Sequence, residues 1–157
     1  MNFEKYKKIK ILGNEENIDI FNNPDDYIII QEEVDGGNFR FMINNDNIIF
    51  GTITTQLTSS TGEEIYVNKN FQSCINLLKE KIKNKNLKKY EGYIFFGENM
   101  VKHSLDYDWE KIPRFLGFDI KDLKKNEYLH YYEVKEIYKK LDLDMVPLVD
   151  IKKSKRH

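Results

Sequence analysis

The fold of this chain is most constrained by three short segments of strand character that are separated by turn-forming residues. Tyr27 to Glu33 is apolar and β-branched, and Asn38 to Ile43 alternates between apolar and polar residues. Between them, Asp35-Gly36-Gly37 favours a hairpin turn, and Asn44 to Asn47 supplies a second turn before Ile48 to Thr54. The pattern predicts an antiparallel meander of three strands.

Further helices and strands are predicted around this meander. Apolar residues recur at helical spacing from about Asn70 to Asn84 and again from Glu133 to Leu141, which indicates two amphipathic helices. The other segments of strand character are Lys7 to Leu12, Tyr93 to Gly97, Arg114 to Ile120 and Met145 to Val149. The chain is therefore predicted to be an α+β protein, an antiparallel sheet with packed helices.

Size and composition limit the class of protein. With 157 residues, 40% of them hydrophobic, the chain can bury one core, so residues 1–157 are expected to form a single domain. A formal net charge of −1 gives no global field that attracts nucleic acid. A single cysteine, Cys74, and the lack of a signal-peptide or membrane-spanning pattern predict a cytoplasmic protein with no membrane contact. The three histidines have no metal-ligand spacing, so no metal site is expected. They are His103, His130 and His157.

One segment carries a recognisable motif. Residues 31–41, QEEVDGGNFRF, resemble the nucleophile motif of the covalent nucleotidyltransferases, and especially of the RNA-repair branch of the ATP-dependent ligases. In that family the motif reads Lys-x-Asp/His-Gly-x-Asn, and the lysine attacks the α-phosphate of ATP. Glu33 stands at the lysine position. Because a carboxylate cannot form the lysyl phosphoramide and repels the triphosphate, the resemblance implies a ligase fold without its nucleophile.

Three further segments extend the resemblance in the family's order. Ile49 to Gly62 is similar to the segment in which RNA ligases place a Ser-Arg pair that reaches phosphates, and the arginine position falls on Ile53. Tyr93 to Glu98 resembles the motif whose glutamate receives the ribose hydroxyls, here Glu98.

The fourth segment runs from His103 to Ile120 and is similar to the motif whose aromatic ring stacks on adenine, here Phe118. The resemblance implies a partial nucleotidyltransferase domain, of the ATP-grasp-like ligase type, with a relic of a nucleotide or base site. The implied site residues are Glu32, Asp35, Gly36, Asn38, Glu98 and Phe118.

In the family, two lysine motifs follow the position of Val146 to Val149, and the sequence does not contain them before His157. Phosphoryl transfer depends on positioned cations and metals that stabilise spread negative charge. We therefore expect a truncated domain that lacks the nucleophile, the phosphate-reaching arginine and the late lysines.

Each motif residue also has an ordinary structural explanation. Asp35-Gly36-Gly37 is a good hairpin turn in any fold, Glu98 suits the solvated end of a strand, and Phe118 suits a core. Trp109 is either a satellite core contact or an interface anchor. Several lysines lie at the end of the first predicted helix and just beyond it. They are either a solvated helix end or a basic patch that meets RNA phosphates. The candidate RNA-binding residues among them are Lys81, Lys85 and Lys88.

Two classes of function follow from the resemblance. The favoured hypothesis is a catalytically inactive RNA-ligase-like protein that needs no cofactor and binds RNA or an RNA-processing or RNA-guided protein complex. Such a protein would be an inhibitor or decoy, for example an anti-CRISPR-type factor of a phage or mobile element. The alternative is an ATP-dependent RNA ligase, or one half of a split ligase, that joins RNA through a protein-adenylate. An exposed sheet edge makes a homodimer a further expectation.

Overall fold

A computed structural model gives the fold of this protein and describes residues 3–17, 21–45, 47–65, 67, 69–102 and 104–154. The described residues form seven β-strands and two α-helices. The strands are β1 (Tyr27–Gln31), β2 (Gly37–Asn44), β3 (Asn47–Thr52), β4 (Tyr93–Asn99), β5 (Phe115–Asp122), β6 (Glu127–Tyr128) and β7 (Leu148–Lys153). The helices are α1 (Lys69–Ile82) and α2 (Tyr131–Lys140). The predicted α+β class is confirmed.

The chain divides into two compact units. The larger contains Met1–Lys5 and Val34–Val146, and the smaller contains Tyr6–Glu33 and Pro147–His157. The expectation that residues 1–157 form one domain stays a prediction.

The larger unit is built on a five-stranded antiparallel sheet with the strand order β3-β2-β4-β5-β6. Phe41 of β2 lies opposite Phe50 of β3 and Phe95 of β4, and the rings of Phe41 and Phe95 stack with centroids 4.4 Å apart. Because side chains alternate along a strand, every second residue of β2 points into this core. Both helices bury their apolar residues in the same core, as the helical spacing predicts. These residues are Cys74, Ile75, Leu78 and Ile82 of α1, and Val134 and Tyr138 of α2.

The second predicted turn forms as expected. Strands β2 and β3 pair as a hairpin in which Asn44 lies opposite Asn47. Asn45 has a φ of 48°, the left-handed conformation that asparagine tolerates better than most residues. Asp46, which completes the predicted turn, lies outside the described residues.

The predicted hairpin at Asp35-Gly36-Gly37 is wrong. Strand β1 pairs with β7, whereas β2 pairs with β3 and β4. Neither Gly36 nor Gly37 has the positive φ that the tight hairpin turns need. The backbone N–H of Asp35 instead donates to the hydroxyl of Tyr107, at 2.9 Å. The segment is therefore a connection held by a distant loop.

The predicted strand from Lys7 to Leu12 is also wrong, because this segment has no regular secondary structure. The side-chain amide of Asn17 donates to the backbone carbonyls of Lys10 and Ile11, at 3.1 and 3.2 Å. Local bonds of this kind compete with a strand ladder for the same carbonyl groups. The apolar side chain of Ile11 is 85% exposed, so no buried face favours a strand here.

The smaller unit contains the antiparallel pair β1 and β7, with Tyr27 opposite Lys153 and Ile30 opposite Asp150. The predicted last strand is present, but it begins at Leu148. The backbone N–H of Ser154 donates to the carbonyl of Asp26 at 2.8 Å and extends the pairing beyond β7.

The edges of the five-stranded sheet are short or partly covered. The backbone N–H of Leu57 donates to the carbonyl of Phe50 on β3, and the N–H of Phe50 donates to the hydroxyl of Thr58. The opposite edge strand, β6, has two residues. Short or covered edges discourage strand addition, and self-pairing stays a prediction. None of the helices in the described part of the chain has the length and apolar character that crossing a membrane requires.

Candidate functional site

Asp35 is fixed by the loop that follows β4. Its carboxylate Oδ2 accepts the backbone N–H groups of Ser104 and Leu105, at 2.8 and 2.7 Å. With the bond from its own N–H to Tyr107, Asp35 joins the start of β2 to residues about seventy positions later in the chain. Hydrogen bonds to a carboxylate are roughly twice as strong as neutral ones. Asp35, a residue of the first motif, therefore anchors the loop that follows β4.

Gly36 lies against the end of β4. A Cβ atom at this position would be 3.0 Å from the carbonyl oxygen of Asn99, the Cβ of Glu98 and the sulfur of Met100. Because two of these three neighbours are backbone or near-backbone atoms, a side chain would push the loop away from the strand. The absence of a side chain at Gly36 therefore allows the first motif to approach Glu98 closely.

Asn38 and Glu98 lie opposite each other on β2 and β4. Side chains of directly opposed residues stand on the same face of a sheet, with Cβ atoms about 4.5–5.5 Å apart. The Oδ1 atom of Asn38 is buried without a hydrogen-bond partner, and Glu98 is half-buried. The structure thus places an amide and a carboxylate side by side, a pair that can bind hydroxyl and amino groups.

Phe118 is the extra residue of a β-bulge in β5. Phe96 of β4 lies opposite Asp119 and Gly97 lies opposite Gly117, so the register of the ladder passes over Phe118. A bulge redirects a side chain, and this one places Phe118 in a second apolar cluster, away from the main core. The buried members of that cluster are Val34, Met100, Leu116 and Val146. Phe118 is half-buried there, and its stacking role stays a prediction.

Glu32 and Glu33 follow β1 in the smaller unit, and both are exposed. The backbone N–H of Glu32 donates to the carbonyl of Pro147 at 2.9 Å, which extends the pairing between β1 and β7. Glu33 therefore presents an exposed carboxylate at the position where the motif has a lysine.

The structure reveals a buried arginine that the sequence analysis did not select. Arg40 of β2 is 3% exposed, and its Nε atom has no hydrogen-bond partner. Its Nη1 atom donates to the carbonyl of Ile53 at a long 3.4 Å, and its guanidinium lies 4.4 Å from the ring centroid of Phe3. Burial lowers the pKa of Arg40. The sequence contains one signal of this position. Arg40 lies between Phe39 and Phe41, which face the main core, so alternation along β2 places Arg40 on the opposite face of the sheet.

The three candidate RNA-binding lysines differ in their surroundings. Lys81 at the end of α1 pairs with Asp142 at 2.5 Å, and this hydrogen bond raises the pKa of Lys81. Lys85 and Lys88 are exposed, and the described structure gives them no ion pair within 4.0 Å. Two of the three ammonium groups are therefore available to phosphates, while the third is partly neutralised.

A pocket of about 400 Å³ opens beside the loop between β4 and β5. Two cations lie in its wall, and the pocket is lined by Met100, Lys102, Trp109, Ile112 and Arg114. The Nη1 atom of Arg114 donates to the carbonyl of Met100 at 2.8 Å. The Nε1 atom of Trp109 is buried without an acceptor. From the sequence, Trp109 is either a core contact or an interface anchor, and no pattern there connects it with these cations.

No group of three or more histidine, cysteine, aspartate or glutamate side chains that could hold a metal ion occurs within the described ranges. His130 caps α2, where its backbone N–H donates to the Glu133 carboxylate at 3.3 Å. His103 and His157 lie outside the described residues.

Comparison with known proteins agrees with the fold. The model of the family described as RNA ligase matches residues 26–157. Among solved structures, a Naegleria gruberi RNA ligase (E227A mutant with ATP and Mn) superposes with a TM-score of 0.69 at 17% identity, covering 98% of this chain and 44% of the other. The same enzyme with PPi gives a TM-score of 0.66 at 19% identity, covering 88% and 40%.

An archaeal ATP-dependent RNA ligase also gives a TM-score of 0.66, at 17% identity, covering 96% of this chain and 38% of that protein. The chain thus spans about two-fifths of the solved ligases to which it is similar. No curated protein matches it. With a family match that extends over most of its residues, the chain belongs to the RNA ligase family.

Proposed function

We propose that this protein is a catalytically inactive member of the RNA ligase family that acts by binding RNA or an RNA-processing complex. The observation that carries the proposal is Glu33, an exposed carboxylate at the position of the family's nucleophilic lysine. A carboxylate neither forms the phosphoramide nor attracts the triphosphate.

The surroundings of the other motif residues support the same proposal. Asp35 accepts two backbone N–H bonds and so serves the loop that follows β4. Ile53, at the position of the phosphate-reaching arginine, is an apolar residue that is 49% exposed. A polar pair and an aromatic ring remain, supplied by Asn38, Glu98 and Phe118. These groups suit the recognition of a ligand, but none of them activates a phosphate.

Covalent labelling tests the loss of catalysis. The protein and its Glu33→Lys variant are incubated with α-phosphate-labelled ATP and Mg²⁺ or Mn²⁺, and protein-bound label is measured after denaturation. We expect no label on the unmodified protein, and stable label there would overturn the proposal. Label on Glu33→Lys alone would support it and would assign the loss to this position.

The mode of action is binding, as an inhibitor or decoy of an RNA-processing or RNA-targeting system such as an RNA-guided complex. Tagged protein is used to capture partners from a bacterial lysate, with and without ribonuclease, and both protein and RNA are identified. Recovery of RNA, or of a ribonucleoprotein, supports this mode. Recovery of neither would contradict it.

The second candidate is an active ATP-dependent RNA ligase, alone or with a partner chain that supplies the remaining motifs. The family relationship and the order of the four motifs favour it. It requires an alternative nucleophile, since Glu33 cannot serve. The labelling experiment decides between the inactive protein and a ligase that acts alone, because only the latter predicts adenylate on the unmodified protein without a partner chain.

A further inference from the structure

We infer that the pocket lined by Lys102, Trp109 and Arg114 binds one nucleotide of a single-stranded RNA. The pocket holds both the phosphate and the aromatic base of that nucleotide. The inference rests on the proposed RNA-binding function and gives it a specific site. This site is distinct from the lysines at the end of α1.

The described residues place no ion-pair partner against the two cations of the pocket. Lys102 and Arg114 are both exposed, and within the described ranges neither has a carboxylate within 4.0 Å. The neighbouring Asp108 is engaged by Lys111 at 2.7 Å. Two unpaired cations beside one pocket attract an anion, and a phosphate diester of RNA carries one negative charge per nucleotide.

The indole supplies the second part of the site. Trp109 is half-buried, and its ring meets that of Tyr107 edge to face, with centroids 5.4 Å apart. Its Nε1–H is buried with no acceptor among the described residues, which is uncommon because buried donors are nearly always paired. A phosphate oxygen or a base carbonyl in the pocket would provide the missing acceptor.

The size and composition of the pocket agree with this ligand. A volume of about 400 Å³ lies in the range of small-molecule sites, roughly 300–1,000 Å³. Met100 and Ile112 add an apolar wall against which a base can pack. Cations that hold the backbone and an aromatic residue that holds a base are the usual combination in proteins that bind single-stranded nucleic acid.

Trp109 is the single tryptophan of the chain, so its fluorescence reports directly on the pocket. The complete protein is titrated with a twelve-nucleotide oligouridylate and, in parallel, with uridine monophosphate. We expect oligouridylate to change the fluorescence saturably, with an affinity that falls as salt is added. A change with the monophosphate but none with the oligonucleotide would overturn RNA as the ligand.

Three variants test the assigned residues by the anisotropy of labelled oligouridylate. Lys102→Ala should weaken binding several-fold and reduce the slope of log K against log salt by about 0.7, the loss of one phosphate contact on a single strand. Trp109→Ala should weaken binding about ten-fold or more, and Trp109→Phe, which keeps an aromatic ring but loses the Nε1–H donor, should weaken it less. Lys125→Ala is the matched control, since Lys125 is an exposed lysine between β5 and β6 and does not line the pocket.

Lys102→Ala keeps the test valid even if changes at Trp109 disturb folding, because Lys102 is exposed and has no hydrogen bond or ion pair in the described structure. If RNA binds while Lys102→Ala and Lys125→Ala behave alike and the Trp109 signal is constant, this site is refuted and the proposed function stands. If neither oligouridylate nor the monophosphate binds, the site is refuted. A failed capture of RNA and ribonucleoproteins from lysate would separately refute the proposed function.

Discussion

Arg40 is a buried cation with no carboxylate beside it among the described residues, and such a residue costs stability. Removing a charge from water costs several kcal/mol, and a cation–π contact of about 2 kcal/mol with a long hydrogen bond does not offset it. The lowered pKa of Arg40 has the same cause, since burial destabilises the charged form. The guanidinium of Arg40 is therefore not expected to stabilise the fold.

We predict that Arg40→Met leaves the free energy of unfolding unchanged or raises it by ~1 kcal/mol. Arg40→Ala, which also removes the charge but leaves a cavity, should lower it. Urea denaturation followed by circular dichroism measures both variants. A loss of more than about 1 kcal/mol in Arg40→Met would show that the guanidinium stabilises the fold.

Gly117 is required by a ring that packs directly on β5. A Cβ atom at this position would lie 2.3 Å from the Cζ atom of Tyr138. Tyr138 cannot move away easily, because it is fully buried and its hydroxyl donates to the carbonyls of Phe96 and Asp119, at 2.8 and 3.2 Å. The packing of α2 on β5 therefore leaves no room for a side chain at position 117.

We predict that Gly117→Ala lowers the free energy of unfolding by about 1–3 kcal/mol, the usual cost of overpacking a core. Gly37→Ala is the matched control, because a Cβ there would meet its nearest neighbour, the Phe71 ring, at an ordinary 3.8 Å. That control should change stability by less than about 0.5 kcal/mol. Equal losses in the two variants would mean that glycine flexibility, and not the Tyr138 ring, sets the cost.

At the level of elements, the sequence predicts local structure well where the elements bury a regular face. Helix α1 and the β2–β3 hairpin lie where the apolar spacing and the turn residues place them. The partner of β1 was not predictable in this way, since β7 is more than one hundred residues away in the sequence. Local patterns specify that a segment is a strand, whereas its partner depends on the packing of the whole chain.

The three candidate RNA-binding lysines allow a prediction that distinguishes a paired cation from unpaired ones. They are Lys81, at the end of α1, and Lys85 and Lys88, which follow it. Each phosphate contact that is lost should reduce the salt slope of single-stranded RNA binding by about 0.7. Lys85→Ala and Lys88→Ala should each show such a reduction, while Lys81→Ala should show less because its ammonium pairs with Asp142. The measurement is oligonucleotide anisotropy at several salt concentrations, with Lys135→Ala on α2 as the control. Equal slopes in all four variants would place the RNA elsewhere.

At the level of the whole molecule, the family motifs predicted part of the candidate site. They selected Asp35, Gly36, Asn38 and Glu98, and the structure brings these together at the adjoining ends of β2 and β4. The motifs did not select Lys102 or Arg114. The residues that line a pocket come together in the folded chain and have no fixed spacing in the sequence. The role of Asp35 as an anchor for Ser104 and Leu105 was equally outside the reach of the sequence.

Cys74 provides a probe of global unfolding. It is fully buried in the main core, and burial raises the pKa of its thiol to about 12. Since the thiolate is the reactive form, about one thiol in ten thousand is ionised at pH 8, and the reagent has no access to it in the folded chain. We therefore expect a disulfide reagent to label Cys74 only after the core opens.

The prediction is that labelling of Cys74 at pH 8 follows the urea unfolding transition, with the same midpoint as the fluorescence of Trp109. Both residues belong to the larger unit, so one cooperative transition should expose them together. Ser73→Cys in a Cys74→Ala background is the control, since position 73 is exposed on the same helix and should react at once in the folded protein. Rapid labelling of Cys74 without urea would mean that α1 separates from the sheet under native conditions, because only a local opening exposes that thiol while the core remains folded.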